Sequence, residues 1–222
     1  MADRSRPGYG TRRDSGTGSR GVDSGSSSPI FDLLVAFAVV FALQSVATLF
    51  SLGLMGGLFV LSPPLSTNPW TIVTSVYAHG GVGHLISNSV ALIVFGWPVA
   101  RATTRLRFHV FFLVTGAIAG VSQIVLSDVA ASAPLVPVGA TGGVLGASGA
   151  VFALGGYLVA SNRLSASLAS FVTVPRWVSV LVFLGLAVVV TMATAAPGIA
   201  LIAHFTGFLV GLVAGRARVL QV

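Results

Sequence analysis

Three short stretches hold the side chains that could do chemistry. Ser148 stands in GASGAVFALGGY (146–157), His84 and Asn88 lie four apart in HGGVGHLISNSVAL (79–92), and His204 opens AHFTGFLVGLVAG (203–215). A serine hydroxyl is a poor nucleophile until a base takes its proton, and histidine has the pKa suited to that task. Glycines beside Ser148 (Gly146 and Gly149) let the backbone approach a reacting carbonyl closely. His84 and Asn88, on one helix face, would then be side-chain donors for the oxyanion that forms. Plainer readings exist for each. A serine can be packing glue, a histidine a helix–helix hydrogen bonder, and the His84–Asn88 pair structural or a weak metal site. A helical HExxH zinc site is excluded because the chain has no glutamate. An intramembrane aspartyl pair is disfavoured because Asp32 and Asp128, the only span-associated aspartates, sit at span ends. Without cysteine there are no disulfides or thiolate metal sites.

The elements that must position these groups are membrane spans. Of 222 residues 55% are hydrophobic and 8% charged, with mean hydropathy +0.95, whereas a soluble domain carries about 25% charged residues. The chain is read as an all-α integral membrane protein. Residues 1–28, built from Gly, Ser, Arg and Asp, cannot offset the entropy of ordering and are expected to form a disordered basic tail. They lack the apolar core of a signal peptide. Residues 29–222 form one domain with apolar segments near 30–51, 84–100, 108–127, 144–161, 177–194 and 199–215, against a spanning requirement of about 20 residues. The apolar run that continues through Leu61 to Pro63-Pro64 is too short for another span, and a re-entrant or interfacial loop is expected there.

The arginines set the orientation. The formal charge of +7 comes from arginine without lysine, and the arginines cluster before the first span, between the second and third, between the fourth and fifth, and after the sixth. With six spans all of them fall on one side, which the positive-inside rule makes cytoplasmic, together with both termini. The basic tail then contacts anionic lipid rather than nucleic acid.

Polar residues within spans are costly and need a reason. Counting from the arginines at ~1.5 Å per residue, Ser148 lies roughly 22 Å from Arg163, His204 roughly 18 Å from Arg216, and Asn88 and His84 roughly 20 and 25 Å from Arg101. All four fall in one layer of a hydrocarbon core about 30 Å thick. Gly207, Gly211 and Gly215 share the face of His204, a small-residue stripe that permits close helix approach, and Gly155 shares the face of Ser148. Meeting along these stripes, the two helices could bring Ser148 within reach of His204.

The combination of His79, His84 and Asn88, then Gly146-Ala-Ser148-Gly149, then Ala203-His204 with Gly207 and Gly211, resembles the rhomboid intramembrane serine proteases. The stretch NPWTIVTSVYAHGGVGHLISN (68–88) is similar to that family's first loop and second helix, and the resemblance covers about 30–215. It implies a six-helix rhomboid-like bundle with a Ser148–His204 dyad and a Ser148 helix that starts inside the membrane. His84, Asn88 and backbone N–H groups would hold the oxyanion. Phe152 matches an aromatic that stacks beside the histidine, and Gly156 a glycine of the helix-packing stripe. Substrates would be transmembrane segments of other proteins, with no metal and no cofactor. His79, near the outer mouth, is read as structural and His109 as interfacial. The rivals are a pseudoprotease that escorts membrane proteins and a small transporter. A prokaryotic plasma membrane is the expected location; oligomeric state and substrate are left open.

Overall fold

The computed structural model describes residues 28–132, 141–161, 176–196 and 198–221, and every regular element among them is helical. The expected tail, apart from Ser28, lies outside the described residues, as does Arg163. Helix α1 (Pro29–Phe50) starts where the Ser28 hydroxyl accepts from the Ile30 N–H and Pro29 occupies the first turn, a position where proline loses no hydrogen bond. It stops at Ser51, whose side chain caps α2 (Leu52–Phe59) by accepting from the Leu54 N–H. The apolar run after the first span, expected as a loop, therefore contains a separate helix of eight residues, far below spanning length. A single turn, α3 (Thr71–Thr74), follows. The Trp70 indole and the Thr74 hydroxyl donate to the Gly57 and Leu58 carbonyls and tie this region to α2.

Helix α4 (Val82–Ala100) widens to a π-helical turn at Leu92–Gly96, just before Pro98. The proline has no N–H to give the preceding turn, and a π turn is one way to absorb the missing bond. Helix α5 (Arg105–Ser132) is longer than the segment expected from hydropathy. α6 (Ser148–Ser161), α7 (Arg176–Ala193) and α8 (Leu201–Arg216) complete the bundle. Residues 144–147, read as the start of a span, are not helical; the helix begins at Ser148.

α1, α4 and α5 are long and apolar enough to cross a membrane, and α6, α7 and α8 are shorter apolar helices. Their outer faces carry exposed Phe31, Val39, Leu49, Val110, Val129, Leu181 and Val189, an exterior suited to hydrocarbon rather than water. α6 is the centre, buried from Gly149 to Val151 and from Ala153 to Tyr157, and packed against α4, α5 and α8. Among the described elements α7 touches only α8. Asp32, expected only to sit at a span end, joins α1 to α5. Its carboxylate accepts from the Arg105 guanidinium, and His109 Nε2 lies 2.9 Å from Asp32 Oδ2.

Candidate active site

Ser148 is the first residue of α6, and the chain entering it is held at several points. Val144 pairs with Leu61 through both backbone N–H groups, at 2.8 and 2.9 Å, and the Gly146 N–H donates to the Ser75 carbonyl at 2.9 Å. Gly146 has φ +136, and a Cβ there would stand 2.7 Å from His84 Cε1. Glycine is needed at 146 for backbone angle and for space together.

The second support is the seam between α6 and α8. A Cβ on Gly207 would strike the Gly149 carbonyl, one on Gly211 the Ala153 carbonyl, and one on Gly215 the Tyr157 carbonyl at 2.5 Å. From the other side, a Cβ on Gly156 would meet the Phe208 carbonyl. The two backbones are in direct contact, as small-residue faces allow, and such contacts can include Cα–H···O bonds. The α8 stripe is as expected; the α6 partner differs. Gly155 faces the Phe95 ring of α4, Gly149 faces Ala119 of α5 while its carbonyl meets Gly207, and Ala153 and Gly156 border α8. Ser148, seven residues before Gly155, shares that residue's face and so stands beside the seam, on the side of α4.

His84, Ser148 and His204 line one cavity of about 430 Å³, together with Gln123, Thr141 and the 198–200 segment. The His204 ring stacks on Phe152, with centroids 4.2 Å apart and planes 15° from parallel, and its Nδ1 lies 3.2 Å from Thr194 Oγ1. The start of α8 is fixed by Gln123, whose Oε1 accepts from the Ala203 N–H at 3.1 Å while its Nε2 donates to Thr141 Oγ1 at 3.0 Å. His84 Nδ1 accepts from the Gly80 N–H at 3.3 Å. That bond leaves the ring proton on Nε2, the edge next to Gly146. Asn88, one turn further along α4, is not in the cavity wall. It is 5% exposed and its Nδ2 has no hydrogen-bond partner among the described residues. His79 is buried with its ring edge-on to Phe37 and to His84, outside the cavity wall.

Sequence reasoning passed over Gln123 and Thr194. Gln123, a polar side chain within an apolar helix, carried a readable signal. Thr194 carried none, because threonine is common in membrane helices and its partner lies across a helix boundary.

These elements define a multi-pass membrane protein whose polar groups gather around a cavity that holds one serine and two histidines, at the starts of two packed helices. A rhomboid domain model matches residues 66–220, and the chain belongs to the rhomboid family, a family of intramembrane serine proteases. No curated protein matches the chain.

Proposed function

We propose that this chain is an intramembrane serine endopeptidase that cleaves transmembrane segments of other membrane proteins by a Ser148–His204 dyad. Ser148 Oγ attacks the scissile carbonyl while His204 takes its proton, then returns it to the leaving amine as the C–N bond breaks. A water entering from the outer face attacks the acyl-enzyme, again losing its proton to His204, and Ser148 is restored. The His84 Nε2–H, Asn88 and the Ser148 backbone N–H hold the negative oxygen. The observation that carries this reading is the placing of Ser148, His204 and a donor-tautomer His84 on one cavity.

Six spans with both termini cytoplasmic fit the arginine pattern and the helix order. α6, with 14 residues, is about 21 Å long, less than a hydrocarbon core of about 30 Å. Ser148 then opens inside the membrane, below its outer face. A substrate helix hides its carbonyls in i→i−4 bonds and must unwind locally, so helix-breaking and small residues near its outer end are favoured. This reading calls for no metal, cofactor or nucleic acid, has the bilayer and transmembrane substrates as partners, and puts the enzyme in a prokaryotic plasma membrane.

The direct test is reaction of purified protein in detergent with a fluorophosphonate. Labelling that maps to Ser148 supports the enzyme, whereas protein shown to be folded that takes no label favours an escort or a transporter. Asn88→Ala separates the oxyanion donors from the dyad. Losing one such donor typically costs about 10²–10³ in rate, and with His84 and backbone donors sharing the charge the expected loss is the lower end or less. Turnover of one substrate should fall without vanishing, while His204→Ala drops to background. An Asn88→Ala enzyme as dead as His204→Ala, and equally well folded, would place Asn88 in the essential machinery instead.

A further inference from the structure

Thr194 stands just past the end of α7, and its hydroxyl has two neighbours: the Thr191 carbonyl at 2.9 Å and His204 Nδ1 at 3.2 Å. A hydroxyl has one proton and two lone pairs. If that proton pointed to His204, two oxygens 2.9 Å apart would face each other with lone pairs alone, a repulsive arrangement. The proton belongs on the shorter contact, toward Thr191. Thr194 Oγ1 is then an acceptor for His204, and Nδ1 must carry the ring hydrogen. A neutral imidazole has only one, so Nε2 is bare.

We propose that Thr194 is the positioning residue that sets the tautomer of His204, leaving Nε2 as the base for Ser148. This deepens the dyad assignment and rests on it. Phe152 and Thr194 restrain different motions of the ring: the stacked phenyl fixes its plane, and the hydroxyl fixes its rotation within that plane. When Nε2 takes the serine proton, the ring becomes an imidazolium, and its Nδ1–H bond to Thr194 becomes charge-assisted and stronger. No proton passes to threonine. The hydroxyl does, without charge, the orienting work that a carboxylate does in a three-residue site. A neutral group suits this depth, where an ionised carboxylate would be costly. Because α7 touches α8 alone among the described elements, this bond is also what joins the end of α7 to the base.

The test compares Thr194→Val, which keeps the shape and removes the hydroxyl, with Thr194→Ser, which keeps the hydroxyl. Outer-shell partners of metal-bound histidines typically contribute about tenfold to a hundredfold, and a loss on that scale is expected for this neutral partner of a histidine base. The valine variant should lose kcat by that amount with KM little changed, and the serine variant should recover most of it. A second reading needs no turnover: the ¹⁵N spectrum of His204 in the unsubstituted protein should show a protonated Nδ1 and a bare Nε2. Valine and serine variants with equal kcat would overturn the proposal, and so would a protonated Nε2 in that spectrum. Failure of the underlying dyad looks different. Ser148 would then be unreactive toward fluorophosphonate while the His204 spectrum still showed the Nδ1 tautomer.

Discussion

Ser148→Ala should abolish cleavage of a model transmembrane substrate, with a fall of at least about 10³ in kcat, the scale on which nucleophile removal acts in serine hydrolases. The change deletes one oxygen at the first position of α6, where Gly146, the Leu61–Val144 pairing and the α6–α8 seam hold the backbone independently of that hydroxyl. Folding should therefore be nearly unaffected. The melting temperature should stay within about 2–4 °C of the parent, the shift that ~1 kcal/mol produces in a chain of this size. Fluorophosphonate labelling should disappear with activity. Cleavage surviving above a few per cent of the parent rate, in a preparation free of parent protein, would mean that another group is the nucleophile.

Gly211→Val should produce the largest structural effect. The new Cβ would overlap the Ala153 carbonyl and lie 2.8 Å from Ala153 Cα, so only backbone stands in its way and no rotamer change relieves it. α8 must move off α6. A cost at or beyond about 3 kcal/mol, the upper end of ordinary overpacking, is expected, lowering the melting temperature by about 6–12 °C. Gly211 lies two turns, about 10 Å, from His204 and is not in the cavity wall. Labelling of Ser148 should nevertheless fall, because the seam sets how the two helix starts face each other. Gly185→Val is the matched control: it is a glycine in the middle of α7 with nothing within 4 Å of an added Cβ. Equal melting and equal labelling of the two variants would show that the seam does not govern the site.

Much of this was open to sequence reasoning, for reasons of energetics. A buried polar side chain in hydrocarbon is costly, so Ser148, His204, His84 and Asn88 stood out against apolar surroundings. Their distances from the arginines placed them at one depth. Helical periodicity then put Gly207, Gly211 and Gly215 on the face of His204, where the α8 stripe is found. Each of these inferences uses only rise, phase and the cost of burial, all properties of a single helix.

The tertiary structure decided which neighbour each face meets. Phase showed that Gly155 shares a face with Ser148; it could not show that this face turns to Phe95 of α4 while Gly149 turns to Ala119 of α5 and Gly156 to α8. Leu61 holding Val144, Gln123 holding Ala203, and Asp32 held by Arg105 and His109 join residues distant in sequence. Thr194 follows α7 and His204 stands in α8, ten residues on, and their 3.2 Å contact depends on how the ends of the two helices meet. A helix's own periodicity carries no record of such pairings, because they depend on how helices cross and on what a loop brings back. The candidate reacting groups were therefore readable in the local sequence, and their orientation and mutual facing were decided only by packing.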